Sequence, residues 1–185
     1  MLSSNRNTVA EESFVLELLG DLTVLDLFDC GDGDLNDYFH NDAKPHKTEL
    51  LTQTYCLRQS TTPGEVVALL DFCNDAVQIN WHKDQIRRII KIHHRKRYSR
   101  FPAVKLTRFG VRADLHRTHI GSHALNLAKR LFTTDNRTGC RLLTVDAYNK
   151  PGVLDFYRKN EFKELTTTDI KESTRSLYFD LKRVV

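Results

Sequence analysis

What this 185-residue chain lacks narrows the possibilities before anything it contains. No apolar run reaches the roughly 20 residues that a membrane-spanning helix needs, and the opening Met1-Leu2-Ser3-Ser4-Asn5-Arg6-Asn7 has no apolar segment of the kind a secretory signal carries. A soluble, cytoplasmic protein with no membrane partner is the expectation. Cysteine is sparse: Cys30, Cys56, Cys73 and Cys140 stand far apart and form no Cys-x-x-Cys pair, which argues against a zinc site or a redox dithiol. No metal is expected, and all four are read as reduced packing residues. The alternative for Cys140 is a thiol nucleophile served by one of the eight histidines. Internal repeats, low-complexity tracts and an interdomain linker are also missing. A chain of this length holds one substantial core more readily than two, so residues 1–185 are read as a single domain. The formal net charge, +4, is modest.

The segments that are present mix strands with helices. Ser13 to Leu19 has a strand-like apolar face of Phe14, Leu16 and Leu18, and Leu35 to Ala43 reads as a helix after an Asp/Gly-rich turn. Thr52 to Arg58 and Glu65 to Phe72, separated by Ser60-Thr61-Thr62-Pro63-Gly64, read as a hairpin. From Ser122 to Phe132, Ala124, Leu125, Ala128, Leu131 and Phe132 make a broad apolar helix face suited to covering a sheet. Leu177, Phe179 and Leu181 alternate with Ser176, Tyr178 and Asp180 in a final half-buried strand. The pattern implies an α/β sandwich of the α+β kind around one largely antiparallel sheet.

The stretch from Val104 to Phe162 carries the functional signal. A strand, Val104 to Val111, runs into the polar loop His116-Arg117-Thr118-His119-Ile120-Gly121-Ser122 and then into the amphipathic helix. A second strand, Arg141 to Ala147, leads to Asn149, a Pro-initiated helix and the phrase Phe156-Tyr157-Arg158-Lys159-Asn160-Glu161-Phe162. A strand that delivers a loop to a helix start makes a phosphate site, because unpaired backbone N–H groups and the positive end of the helix dipole point to one place.

Residues 104–162 resemble the acyl-CoA-binding half of the GNAT superfamily of N-acetyltransferases. The family's loop signature is Gln/Arg-x-x-Gly-x-Gly/Ala; here His116 stands at the Gln/Arg position, His119 at the first Gly and Gly121 at the last. The resemblance implies a GNAT-like acyl-CoA N-acyltransferase fold, with a mixed, mostly antiparallel sheet flanked by helices and a parallel strand pair splayed apart for the pantetheine arm of acetyl-CoA. It assigns the pyrophosphate to the loop His116, Arg117, Thr118, His119, Ile120, Gly121 and Ser122. The pantetheine goes to the backbone of Phe109, Gly110 and Val111, whose side chains pack in the core, and a further contact to Asn149. An Asn before Pro151 is as readily a turn or capping residue.

The resemblance also assigns the chemistry to Tyr157, within Phe-Tyr-x-Lys-Asn-x-Phe. Acetyl transfer to an amine expels the CoA thiolate, a better leaving group when it receives a proton. With a tyrosine pKa near 10 and a model thiol near 8.5, that transfer is uphill by only about 2 kcal/mol in reference terms. No carboxylate lies in Val104 to Val111, where Lys105, Thr107 and Arg108 stand. Asp71 and Asp146 are candidate general bases, each equally readable as a strand-edge aspartate or a salt-bridge partner. The missing base leans toward acceptors of low pKa, such as an α-amino group near 8.

A second resemblance lies near the start. Phe28-Asp29-Cys30-Gly31, followed by Leu35, Tyr38, Phe39 and Ala43, is similar to the opening of the GNAT branch that contains the toxins of bacterial toxin/antitoxin pairs, which acetylate aminoacyl-tRNA. Between Lys83 and Arg100 lies a basic run of Lys83, Arg87, Arg88, Lys91, Arg95, Lys96, Arg97 and Arg100, opposed only by Asp84. Such a run suits a phosphate backbone; as a helix, Gln85 to Ile92 would turn Ile86, Ile89 and Ile90 inward and its charges to solvent. The partners implied are acetyl-CoA, aminoacyl-tRNA held through Lys83, Arg87, Arg88, Arg95 and Arg97, an antitoxin protein and a second copy of the chain. Two classes of function stand: an acetyl-CoA-dependent N-acetyltransferase, acting on aminoacyl-tRNA or on a small-molecule or protein amine, and a non-catalytic module that binds acyl-CoA or nucleic acid.

Overall fold

The computed structural model describes residues 8–10, 13–78, 100–134, 136 and 139–185. The strands form an eight-stranded sheet in the order β1-β2-β3-β4-β5-β6-β8-β7. They are β1 (Thr8–Ala10), β2 (Phe14–Leu18), β3 (Gln53–Gln59), β4 (Thr62–Gln78), β5 (Arg100–Val111), β6 (Leu142–Tyr148), β7 (Lys163–Glu164) and β8 (Thr174–Asp180). Pairings β1–β2, β2–β3, β3–β4, β6–β8 and β7–β8 are antiparallel. β4 and β5 also run oppositely, since Arg112 N–H donates to Val67 and Thr107 Oγ1 to the Asp71 carbonyl. β5 and β6 run the same way: Arg141 N–H donates to the Pro102 carbonyl and Thr144 Oγ1 to that of Val104. The expected mixed, mostly antiparallel sheet flanked by helices is present, with one parallel pair among the described strands, at β5–β6.

The described residues divide into two compact units: those within 1–73, 106–137 and 184, and those within 74–105, 138–183 and 185. In the first, helix α1 (Gly33–Asp37), a π-helical turn (Tyr38–Asp42) and α2 (Ala43–Thr48) follow one another without a break. Asp32 caps the start, its carboxylate accepting from the N–H groups of Asp34 and Leu35. The expected helix over Leu35 to Ala43 is therefore longer at both ends, and its middle is wound differently. Ala43 N–H reaches the Tyr38 carbonyl, a five-residue step. The widened turn lies just ahead of Pro45, which has no N–H to donate to residue 41. Leu19, Leu25, Phe28, Tyr38, Phe39, Cys56 and Leu69 form the core here. Helix α3 (Ile120–Leu131) buries Ala124, Leu125, Leu127 and Ala128 and packs on β1 and β2, with Phe14 and His123 rings 4.8 Å apart.

The β3–β4 hairpin is tighter than its sequence suggested. Pro63 and Gly64 lie within β4 and not in the turn, because register shifts beside Arg58 place their carbonyls under its guanidinium at 3.2 and 3.1 Å. In the second unit, Val77, Phe101, Ala103, Leu142 and Tyr178 form the core, and helix α4 (Pro151–Lys159) packs on β6.

Candidate acyl-CoA site

Beyond β5 the chain makes a single 3-10 turn, Ala113–Leu115, and then crosses the left-handed region twice, at Arg117 (φ 64°) and His119 (φ 66°), before α3 begins at Ile120. The helix thus starts two residues before the expected Ser122, with His119 as its N-cap and no side chain closing the first turn. Ser122 and His123 N–H groups bond to the His119 carbonyl. The N–H groups of Arg117, Thr118, His119, Ile120 and Gly121 have no hydrogen-bond partner among the described residues. Five successive unpaired donors at a helix N-terminus are a concave source of positive potential. Residues 116–119 are exposed, whereas Ile120 is buried and Gly121 half-buried.

The loop is held from beneath. Thr118 Oγ1 donates to the Leu115 carbonyl at 2.6 Å, and Arg112 pairs with Asp114 at 2.7 Å and Glu65 at 3.2 Å, holding the Asp114 carboxyl below its usual range. His116, at the family's Gln/Arg position, turns back so that Nε2 lies 3.0 Å from the Val111 carbonyl. The Arg117 guanidinium pairs with no group among the described residues.

The opening motif forms the floor, a relation the sequence did not reveal. The Asp29 carbonyl accepts from Ala113 N–H at 3.0 Å, and the Asp29 carboxylate from Gly31 N–H and Asn36 Nδ2. Asn36 Oδ1 accepts from Cys30 N–H at 2.9 Å and from its thiol at 3.1 Å. Gly31, at φ 74°, approaches Ala113 and His116. A side chain at Gly110 would meet Cys30 Cβ at 3.0 Å, its Sγ at 3.2 Å and the Phe28 ring at 3.2 Å. Phe28 to Gly31, Phe109 to Val111 and the loop at 116–122 therefore belong to one construction in the first unit.

Tyr157 and Asn149 belong to the second unit. Tyr157 is 6% exposed, its ring set edge-on against Phe156 at 5.2 Å and Phe162 at 5.4 Å. Burial raises its pKa above the ordinary tyrosine value, and its hydroxyl has no hydrogen-bond partner among the described residues. Asn149 spends both hydrogens of its amide on a neighbouring loop, donating to the carbonyls of Ile170 and Glu172 at 2.9 Å each; Oδ1 is the atom left over.

Of the two candidate bases, Asp146 is held by Lys105 through one oxygen and by Ser176 Oγ at 2.8 Å through the other. Asp71 is fully buried and accepts from Tyr38, Thr54 and Thr107. Cys140 has its thiol on the Leu142 carbonyl, and burial pushes its pKa up to about 11, which suits packing better than nucleophilic attack. No group of three metal-ligating side chains comes together among the described residues, and no helix there is long and apolar enough to cross a membrane. Lys83, Arg87, Arg88, Arg95 and Arg97 lie outside the described residues.

No protein-family model and no curated protein matches the sequence. Solved structures do. AtaTR bound with acetyl-CoA is 20% identical with a TM-score of 0.71, over 94% of this chain and 97% of that one. A tyrosine-to-phenylalanine mutant of KacT is 17% identical with a TM-score of 0.72, over 94% and 98%. AtaT complexed with acetyl-methionyl-tRNAfMet is 19% identical with a TM-score of 0.69, over 92% and 96%. The fold is thus that of GNAT-type proteins. Within that class, one of the structures it is similar to is an AtaT mutant toxin bound to the C-terminus of the antitoxin AtaR and acetyl-CoA.

Proposed function

We propose that the protein is an acetyl-CoA-dependent N-acetyltransferase whose acceptor is the α-amino group of an aminoacyl-tRNA. The observation that carries this reading is the run of five unpaired N–H groups, 117–121, at the start of α3. They are the donors for a pyrophosphate, which an open helix N-terminus is suited to receive. His116, Arg117, Thr118, His119, Ile120, Gly121 and Ser122 hold the diphosphate. His119 does so by its N–H, since its αL backbone reproduces what a glycine would give. Phe109, Gly110 and Val111 offer backbone groups to the pantetheine, and Asn149 offers Oδ1. The amine displaces the thiolate at the acetyl carbonyl, and the unpartnered hydroxyl of Tyr157 supplies the thiolate's proton.

Two further facts support the reading. AtaT has been solved with acetyl-CoA and with acetyl-methionyl-tRNA, and the opening motif common to this branch lies against the loop. The charge run from Lys83 to Arg100 supplies the surface for the tRNA backbone, and an antitoxin and a second copy of the chain are the protein partners.

Titration of the purified protein with acetyl-CoA tests the cofactor assignment. Gly121→Glu places a carboxylate among the diphosphate donors, and affinity should fall at least tenfold while the melting temperature stays close to that of the wild type. Equal affinity in the two proteins would remove the loop from the site.

A further inference from the structure

Acetyl transfer from a thioester to an ammonium releases one proton overall, and the acetyltransferase reading, on which this inference rests, leaves that proton without a path. Asp71, in the middle of β4, offers one. It is 0% exposed, it has no ion pair among the described residues, and three hydroxyls from three elements converge on it. Thr54 Oγ1 of β3 donates to Oδ1 at 2.7 Å; Tyr38 Oη of the π turn donates to Oδ2 at 2.7 Å, and Thr107 Oγ1 of β5 to the same oxygen at 2.8 Å.

The hydrogen bonds continue outward in both directions. Tyr38 Oη lies 3.3 Å from His46 Nδ1, and His46 is half-buried on α2, with one side to solvent. At the other end Thr107 is also half-buried, two residues before Phe109 on the strand proposed to carry the pantetheine. With the diphosphate at 117–121 and the pantetheine following Val111 back to Phe109, as proposed above, the reactive end of acetyl-CoA would lie along β5 on the Arg108 and Thr107 side. The charged or titratable groups that face Tyr38 are Asp71 from β4, His46 from α2 and Arg108 from β5, whose guanidinium carbon sits 4.6 Å from the ring centroid. Arg108 Nε is buried without a partner. Thr52 Oγ1, at 3.4 Å, is the neutral neighbour of the same hydroxyl. Tyr38 also opens the π turn, a distortion that recurs at functional sites.

We propose that Thr107, Asp71, Tyr38 and His46 form a relay that carries the acceptor's proton from the cofactor strand to solvent. Thr107 Oγ takes a proton from the ammonium as its own passes to Asp71 Oδ2. Once Oδ2 carries that proton, the Tyr38 hydroxyl turns its own hydrogen from Asp71 to His46 Nδ1; Asp71 returns to the carboxylate by protonating Tyr38 Oη as that hydrogen passes to the imidazole, which gives a proton to water. Each group ends as it began, the amine is neutral for attack, and the nitrogen's second proton, lost after the bond to carbon forms, balances the one given to the CoA thiolate. Burial, the first cause, holds the Tyr38 pKa above its ordinary value, so the phenol passes a proton without resting as the anion.

The test is the pH dependence of acetyl transfer by Tyr38→Phe and His46→Gln, with aminoacyl-tRNA and a lysine peptide as acceptors and acetyl-CoA affinity measured alongside. Each variant should lose about 10²-fold near pH 6.5, a general base's usual contribution, and recover toward the wild-type rate as pH approaches the amine's own pKa. The loss should be larger for the lysine peptide, and acetyl-CoA affinity should not change. Thr54→Val removes a hydroxyl from Asp71 that lies off the path, so it should retain the wild-type pH slope whatever stability it loses. Variants with the wild-type slope, or Thr54→Val losing activity in the same pH-dependent way, would reduce Asp71 to a structural hub and leave the acetyltransferase reading intact. A wild type that transfers acetyl to no amine overturns that reading and the relay together. His46 is half-buried on its helix, so His46→Gln reports even if Tyr38→Phe folds poorly.

Discussion

At the scale of single residues, Tyr157 and His119 show how far composition and position separate. Tyr157→Phe removes one oxygen from a ring that keeps its contacts with Phe156 and Phe162. Because the hydroxyl bonds to nothing among the described residues, its loss should leave the melting temperature within a degree or two, yet slow acetyl transfer by about 10²-fold or more. A variant that transfers at the wild-type rate would make Tyr157 an ordinary core aromatic. His119 occupies φ 66°, a backbone region that costs a residue with a Cβ roughly 1 kcal/mol or more. His119→Gly should therefore stabilise the protein or leave it unchanged, against the usual effect of glycine, and keep acetyl-CoA affinity, as denaturant melts and titration would show. The order of strand, loop and helix from Val104 to Leu131 was legible in the sequence. The fate of the His116 side chain was not, because its contact with the Val111 carbonyl is made across the 3-10 turn Ala113–Leu115, which no spacing rule encodes.

Elements were legible where a periodic apolar pattern met a clear start or stop. Helix α4 begins at Pro151 as expected, and α3 differs from its expected span only at its ends; β8 is where expected but buried on both faces, Tyr178 and Asp180 as well as Leu177 and Phe179, so it is not the half-buried strand its alternation suggested. The π turn at Tyr38–Asp42 was hidden inside an ordinary helical pattern, since one residue of extra winding leaves the apolar period almost unchanged. The short strands β1 and β7 and the 3-10 helix Leu22–Leu27 offer too few residues for a period to declare itself. The packing of the Phe28–Gly31 motif against β5 was also beyond reach, because it joins segments some 80 residues apart along the chain. It makes a prediction of its own. Gly110→Ala puts a methyl 3.0 Å from Cys30 Cβ, backed by the Phe28 ring, so the strand or the motif must yield. Overpacking of this kind costs roughly 1–3 kcal/mol. Acetyl-CoA affinity should fall with stability, because the motif supports the loop through Ala113 as well. A Gly110→Ala protein with wild-type denaturation and affinity would contradict that coupling.

At the scale of the whole molecule, the sequence showed a strong local charge within a nearly balanced chain. The basic run from Lys83 to Arg100 carries eight cations against a net charge of +4, so any electrostatic partner must be read there and not from the average. Reversing Arg87, Arg88, Arg95 and Arg97 to Glu should abolish acetylation of aminoacyl-tRNA while sparing acetyl-CoA binding. Wild-type affinity for tRNA should fall steeply with salt, and that of the variant less so, because fewer counterions are released when fewer phosphates are neutralised. A variant with undiminished transfer would move the tRNA surface elsewhere. The central claim, that this fold transfers acetyl from acetyl-CoA to an aminoacyl-tRNA, is tested most directly by offering radiolabelled acetyl-CoA and the wild-type protein to bulk aminoacyl-tRNA, and separately to polyamines, aminoglycosides and lysine peptides. Label in the aminoacyl-tRNA fraction, lost with Tyr157→Phe, is the predicted result; label confined to a small amine or peptide, or none in any acceptor, would contradict it.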